Sequence, residues 1–241
     1  MDLLRKQVAG WMLVMFGLFL ALASFALAQP PVHYEHAGAT PPGAIGGRQL
    51  LRGGPIPGYL QPVEIVAPKG TTISTAEAGS FQPATPLPRK YGLFIGAVYR
   101  FRVTDIPEYE GLEVYPSIEV IDRIYPPVGM EHQFPILIEL TQQELELALD
   151  GKFVTRVIYL EDPKAAMPVA QDPGEQSVYE VAPHEHPLEV ADRLGRPVAI
   201  LRMGGRVPDA AGPDATFLYG CPPLRKYLPA GEEQAVEYHT E

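Results

Sequence analysis

Residues 92–107 read GLFIGAVYRFRVTDIP, and this stretch decides the fold. Every second residue is apolar, namely Leu93, Ile95, Ala97, Tyr99, Phe101 and Val103. The residues between them include Arg100, Arg102 and Thr104. Because successive side chains of a strand point to opposite faces, this alternation predicts a strand over 92–104 with one buried face. The face that carries Arg100 and Arg102 is predicted to point outward.

Short strands are also predicted on both sides of this stretch, at 60–67, 71–76, 112–124, 134–140, 152–160 and 197–202, with a further short candidate at 178–181. Pro116 interrupts the strand over 112–124, and proline cannot donate a ladder hydrogen bond, so that strand is expected at an edge or with a bulge. The sequence therefore predicts a mainly β fold, a single β-sandwich or a partly open barrel. An α+β sheet with helices on one face is the alternative.

Two short helices are predicted between the strands. Thr141 and Glu144 have the spacing of a capping box, and Gly151 follows the apolar stripe as a stop signal. Pro187 stands at the first position of a second helix that ends at Leu194, before Gly195. Both helices are too short to be stable alone, so they are expected to pack on the sheet.

The composition excludes several classes of protein. The chain has 241 residues with 27 prolines, and proline breaks helix interiors, so a long helical bundle is excluded. The single cysteine excludes an intrachain disulfide framework and Cys-rich metal or iron–sulfur sites. The chain carries 19 basic and 29 acidic residues, a net charge of −10, which argues against a nucleic-acid partner. No cofactor is predicted.

The N-terminal residues have the order of features found in a signal peptide. Arg5 and Lys6 precede an apolar run from Val8 to Ala28 that closes with Ala26-Leu27-Ala28. Residues 1–28 are therefore predicted to be a signal peptide, or alternatively an uncleaved anchor, which would then be the only contact with the membrane. Either reading predicts export, to the periplasm or cell envelope.

The rest of the chain divides by composition into three parts. Residues 29–58 are rich in proline and glycine and are predicted to be a flexible spacer. Residues 59–208 are predicted to form one β-rich globular domain. Residues 209–241 are predicted to be a largely disordered acidic tail, with an aromatic patch that includes Phe217 and Tyr219.

Candidate binding residues are few. Arg100 and Arg102, with Tyr115 and Arg123, would form a shallow face for an anionic or sugar ligand, although a solvated sheet face explains them equally well. His184 and His186 would offer two metal ligands on one side of an extended segment, if a third came from elsewhere. A polar loop before the second helix is the simpler interpretation of these histidines.

The lone thiol and the loop carboxylates are the remaining reactive groups. Cys221 would pair with another chain or stay idle. Paired carboxylates at strand ends would suit general acid–base work, with Glu161 and Asp162, or Glu108 and Glu110, as the choices. No catalytic residue is assigned, because no nucleophile-elbow, zinc-protease, phosphate-loop or calcium-loop motif is present.

Four phrases of the chain resemble a group of uncharacterised exported proteins of planctomycete bacteria. They are GLFIGAVYRFRVTDIP (92–107), EGLEVYPSIEVIDRIYPP (110–127), ELTQQELELALDGKFVTRVIYLEDP (139–163) and DRLGRPVAILRMGGRVP (192–208). The resemblance covers about residues 90–208, half of the chain. It implies an envelope or periplasmic location and carries no activity, ligand or catalytic residue.

These observations lead to three functional hypotheses. The first is an exported, non-catalytic cell-envelope protein whose β-rich domain binds a protein partner or a wall component. The second is a periplasmic module that binds a small ligand or a metal. The third is a hydrolase that uses loop carboxylates.

Overall fold

The computed structural model of the protein describes residues 41–53, 58–164, 178–182 and 184–227. All of these residues belong to one compact unit. The strands are β1 (Leu60–Val66), β2 (Thr72–Glu77), β3 (Ser80–Phe81), β4 (Thr85–Pro86), β5 (Arg89–Phe94), β6 (Val98–Thr104), β7 (Ser117–Val120), β8 (Ile136–Glu139), β9 (Val154–Glu161), β10 (Gly195–Met203) and β11 (Leu224–Tyr227). The helices are α1 (Ala44–Leu51), α2 (Gln142–Leu149) and α3 (Pro187–Leu194), with a 3₁₀ turn over Glu131–Gln133.

The strands form two sheets, which confirms the predicted mainly β fold. The smaller sheet has the order β11-β5-β1-β8, and the larger has the order β3-β2-β6-β7-β10-β9, with β4 paired to β2. All neighbours run antiparallel except β1 and β8. The two sheets share no strand, so they do not form a closed barrel.

The main hydrophobic core joins the two sheets. Its buried side chains come from both of them, including Val63, Ile65, Leu93, Ile136 and Ile138 of the smaller and Phe101, Val103, Ile118, Val120 and Leu201 of the larger. The rings of Tyr91 in β5 and Phe101 in β6 lie with their centroids 5.6 Å apart. Leu145 and Ala148 of α2 are buried in the same core, so this helix packs on the sheets as predicted.

The stretch 92–107 forms two strands rather than the single strand predicted. Gly96 adopts a φ of +84°, a conformation that glycine reaches without strain, and the chain turns there from β5 to β6. The apolar alternation survives the turn because each strand faces the shared core, where Leu93 and Ile95 join Tyr99 and Phe101. The periodicity therefore identified the buried residues correctly and missed the change of sheet.

Both predicted helices are confirmed. In α2, the Thr141 side chain and the Glu144 side chain form the reciprocal capping box, and Gly151 follows with a φ of +77°. Helix α3 begins with Pro187 and ends at Leu194. Gly195 ends the helix as predicted, with its N–H donating to the Ala191 carbonyl, and a Cβ there would lie 2.0 Å from the carbonyl oxygen of Leu160 in β9.

Two of the predicted strands differ from the structure, one being shorter than predicted and the other not formed. The strand predicted over 112–124 is reduced to β7, with one isolated bridge between Val114 and Val103. Pro116 contributes only its carbonyl oxygen, which accepts a hydrogen bond from Phe101 N at 3.0 Å, and regular pairing begins one residue later. Residues 178–181 form no strand.

The predicted flexible spacer and the predicted disordered tail each contain an element of secondary structure that contacts the domain. Residues 44–51, within the predicted spacer, form α1, whose Gly46 N–H donates to Glu119 Oε1 at 2.9 Å. Residues 224–227, within the predicted tail, form β11 on the edge of the smaller sheet beside β5. Neither segment has a strong pattern of its own, so tertiary contacts decide its structure.

The predicted signal peptide or anchor, residues 1–28, lies outside the described residues. In the part of the chain that the structure describes, no helix has the length and apolar character needed to cross a membrane.

Candidate functional site

Arg100 lies on the outer face of the larger sheet as predicted, but it is buried, so the prediction that this face is solvated is wrong at Arg100. Its side chain donates from Nε to the Phe217 carbonyl at 3.1 Å, from Nη1 to the Tyr115 carbonyl at 2.7 Å and from Nη2 to the Tyr219 hydroxyl at 3.1 Å. The guanidinium also lies 4.7 Å from the centre of the Phe217 ring. Burial lowers the pKa of Arg100. The residue holds the chain around Phe217 onto the sheet.

Arg102 and Tyr115 lie beside Arg100 in the same structural cluster. Arg102 Nη1 pairs with Glu113 Oε1 at 3.7 Å, and its guanidinium lies 5.4 Å from the centre of the Phe81 ring. The Tyr115 hydroxyl donates to the other oxygen of Glu113. Burial, followed by the Glu113 carboxylate, raises the pKa of Tyr115 to about 12. Three of the four predicted ligand-binding residues therefore meet, and two of them, Arg100 and Tyr115, contact Phe217 in the tail.

A second buried polar group, which the sequence did not reveal, lies under α1. Glu119 is fully buried, and its Oε2 accepts from Arg202 Nη1 at 2.9 Å while its Oε1 accepts from Gly46 N. The close approach of α1 requires glycine, since a Cβ on Gly46 would lie 2.6 Å from the Gly96 Cα. The outer face of the larger sheet is thus covered by the two segments that flank the predicted domain.

The two predicted metal ligands precede α3. His184 is exposed, whereas His186 is half-buried at the N-cap of the helix, with its Nδ1 enclosed and without a hydrogen-bond partner. Within the described ranges no group of three histidine, cysteine, aspartate or glutamate side chains is placed to hold a metal ion. The pair offers at most two ligands there.

Cys221 lies closer to the core than its position in a predicted tail suggested. It is a free, half-buried thiol that packs against the cluster of Ala76, Tyr115, Phe217 and Leu218. Its backbone φ is +52°, which is unusual for a residue other than glycine. Pairing with another chain stays a prediction.

The carboxylates considered for hydrolysis lie at the surface. Glu161 and Asp162 are exposed at the end of β9. Glu108 and Glu110 are exposed in the turns that follow β6. They make no buried acid–base arrangement among the described residues.

Arg123 lies apart from the other predicted binding residues, in contact with two tyrosine rings. The centre of its guanidinium is 4.5 Å from the centre of the Tyr59 ring and 4.4 Å from that of the Tyr125 ring. Arg196 lies 5.2 Å from the Tyr125 ring centre. We call Tyr59, Arg123, Tyr125 and Arg196 the arginine–tyrosine cluster.

The backbone under this cluster is held by polar contacts. The fully buried Gln61 of β1 accepts from Ile124 N at 2.8 Å through its Oε1. Arg196, near the start of β10, donates from Nη1 to the Arg123 carbonyl at 2.9 Å and to the Asp122 carboxylate. Strands from both sheets therefore fix the position of Arg123.

The guanidinium of Arg123 has hydrogen-bonding capacity left over. Among the described residues no acceptor bonds to it; its Nε is enclosed, whereas neither Nη group is completely enclosed. The Tyr59 hydroxyl is likewise enclosed without a partner. An arginine stacked on aromatic rings keeps its N–H groups in the plane of the guanidinium, where they can donate to a ligand.

Exposed apolar side chains follow Arg123 along the chain. Tyr125 is 64% exposed, Val128 is 98% exposed and Phe134 is 45% exposed, all within ten residues. The 3₁₀ turn between them contacts the smaller sheet, because the rings of His132 and Tyr227 lie 4.7 Å apart. We call the arginine–tyrosine cluster together with Val128 and Phe134 the docking surface.

Sequence reasoning found Arg123 and missed its partners. Tyr59 and Arg196 are 64 and 73 residues from Arg123 in the chain, so only the fold brings them together. The local phrase RIYPP (123–127) was an available signal, since it places a stiff proline pair directly after an arginine and a tyrosine.

Comparisons with protein-family models, with curated proteins and with solved structures give no match to this chain.

Proposed function

We propose that the protein is an exported, non-catalytic cell-envelope protein whose β-rich domain binds a protein partner through the docking surface. The observation that carries this proposal is the arginine–tyrosine cluster, in which Arg123 lies over two tyrosine rings and has no acceptor among the described residues. Tyrosine and arginine are enriched among the residues that contribute most to protein–protein binding.

The neighbouring apolar side chains support a protein partner. Val128 and Phe134 expose apolar area within ten residues of Tyr125 along the chain. An interface of this kind buries its aromatic and aliphatic centre and leaves a polar rim. Pro126 and Pro127 limit the backbone freedom of the loop, which reduces the entropy lost on binding.

The other predicted binding residues support this choice, because their side chains are already bonded to other parts of the protein. The three nitrogens of the Arg100 guanidinium all donate to the protein itself, and Arg102 is paired with Glu113. The contacts of Arg100 hold the segment around Phe217, and those of Arg102 join it to Glu113 and Phe81, so both residues have structural roles. The proposal therefore assigns recognition to the Arg123 side of the domain.

Photo-cross-linking in the native envelope tests the proposal. A photoreactive phenylalanine analogue replaces Val128, the most exposed apolar residue of the docking surface, and cells are irradiated before extraction. The expected result is one reproducible adduct of defined mass. Because the partner is proposed to be a protein, protease treatment should degrade the partner moiety and muramidase should leave it unchanged.

The matched control places the same analogue at Val207, which is 64% exposed outside the docking surface. The same adducts from both positions, or none from position 128, would contradict the proposal. A muramidase-sensitive adduct would show that the partner is a wall component instead.

A further inference from the structure

The charge and hydrogen-bonding state of Arg123 indicate what chemical group the docking surface recognises. We infer that Arg123 binds a carboxylate carried by the partner protein, an aspartate or glutamate side chain, in an end-on fork through its two Nη groups. This inference rests on the proposed function, because it names the contact group of the same surface.

The geometry favours a planar acceptor. The guanidinium carbon of Arg123 lies over the Tyr59 and Tyr125 rings, 4.5 and 4.4 Å from their centres. The Nε of the group is enclosed without an acceptor. The two Nη groups remain, and a pair of parallel N–H donors matches the two oxygens of a carboxylate.

The donors are also preorganised. Stacking on two rings fixes a side chain that would otherwise lose considerable rotamer freedom on binding. The Arg123 backbone is held by Arg196 and by the Gln61 contact to Ile124. A single arginine can therefore bind a carboxylate with little ordering cost.

The local charge favours a monoanion over a phosphate. Arg123 and Arg196 bring two positive charges, Asp122 pairs with Arg196, and Glu131 lies close enough to Arg123 to be influenced by its charge. The formal charges of these four side chains sum to zero. A carboxylate adds one negative charge beside Arg123, whereas a phosphate monoester adds about −1.5 to −2 near the carboxylates of Asp122 and Glu131.

Nuclear magnetic resonance titration of the full chain tests this inference with defined probes. The probes are an acetylated and amidated Ala-Glu-Ala tripeptide, the matching Ala-Gln-Ala tripeptide, acetate and inorganic phosphate. Ala-Glu-Ala is expected to shift the Arg123 side-chain signals in a saturable way, and Ala-Gln-Ala is expected to bind at least about tenfold more weakly, because it offers no charge-assisted hydrogen bond.

Substitutions at Arg123 separate the fork from simple charge attraction. Arg123→Lys keeps the charge and loses the planar pair of donors, and it is expected to weaken Ala-Glu-Ala binding about tenfold, as is Arg123→Gln. Arg52→Lys, the same change at an exposed arginine outside the docking surface, is expected to leave binding unchanged. Unaltered near-ultraviolet circular dichroism and melting of each variant confirm that it is folded.

Several results would overturn the inference. Equal binding by Arg123→Lys would mean that only charge is recognised. Phosphate binding at least as tight as Ala-Glu-Ala would overturn the carboxylate assignment. Acetate binding without Ala-Glu-Ala binding would point to a small free ligand, and no binding by the unaltered protein would remove the site.

The photo-cross-link at position 128 keeps this test independent of the proposed function. If the adduct forms equally in the Arg123→Lys protein, the partner still docks and the carboxylate inference alone fails. If the inference is right, the adduct is lost or reduced about tenfold in that protein and is retained in Arg52→Lys.

Discussion

Replacing Glu119 by glutamine should strongly destabilise the protein. Glu119 is completely buried and its charge is matched by Arg202, whose side chain is 4% exposed. The substitution keeps the shape of the side chain and removes the negative charge. Arg202 would then be an uncompensated buried cation, with Nε and Nη2 that already lack acceptors in the described part of the chain.

The expected magnitude follows from this burial. Removing one partner of a buried ion pair costs about 3–5 kcal/mol, a large share of the roughly 5–15 kcal/mol by which a domain is stable. For a chain of this size, about 3 kcal/mol corresponds to a fall in melting temperature of roughly 6–12 °C. Arg202→Met should cost a similar amount. The double variant Glu119→Leu with Arg202→Met should cost less than either single change, because no buried charge remains.

Urea unfolding of the full chain, followed by near-ultraviolet circular dichroism, measures these free energies of unfolding. Asp150→Asn is the matched control, because it removes the same kind of charge from a pair with Lys152 whose side chains are 63% and 69% exposed. The control should change stability by less than about 1 kcal/mol. A loss for Glu119→Gln as small as that of the control would refute the claim that Glu119 and Arg202 form a buried ion pair under α1.

Three further predictions concern the covering segments and the core. Gly46→Ala should lower the free energy of unfolding by about 1–3 kcal/mol, because its Cβ would lie 2.6 Å from the Gly96 Cα. Gly47→Ala is the control: its Cβ would meet nothing within 4 Å, so the change should be neutral or stabilising in the same urea assay. Leu218→Ala, at a fully buried tail residue, should lower the free energy of unfolding by about 2–5 kcal/mol. The exposed control Val207→Ala should change it by no more than about 0.5 kcal/mol. Equal effects of the two changes would mean that the tail does not pack on the domain. Burial raises the pKa of Tyr99 from 10.0 to about 12, so its contribution to stability is complete below pH 10 and is lost as the pH rises towards 12. Phenolate absorbance and urea midpoints across that range check this, and a tyrosine titration with no group delayed beyond pH 10 would contradict it.

The buried residues of the strands were predictable because alternation is a local property. Leu93 and Phe101 fall on the core side whether the stretch forms one strand or two. The turn at Gly96 was signalled only by an isolated glycine within a strand pattern, which indicates an irregularity and does not say that the chain changes sheets. The capping box at Thr141 was predictable for the same local reason.

The outer face of the larger sheet was not predictable, because its cover comes from distant parts of the chain. Arg100 and Arg102 alternate with apolar residues as on a solvated strand, yet Arg100 is 4% exposed. Phe217 and Gly46, more than 50 residues away on either side, supply the covering contacts. A polar residue on a strand shows which face it occupies, and tertiary structure decides whether water reaches that face.

The most direct test of the account is chemical modification of arginines in the full chain by a dicarbonyl reagent, with and without an envelope extract of the source cells. Mass spectrometry then gives the modification rate at each arginine. Arg123 and Arg52 should react in the isolated protein, whereas Arg100 and Arg202 should not. The extract should protect Arg123 while Arg52 stays reactive. Modification of Arg100 as fast as Arg52, or an Arg123 that the extract does not protect, would contradict the account.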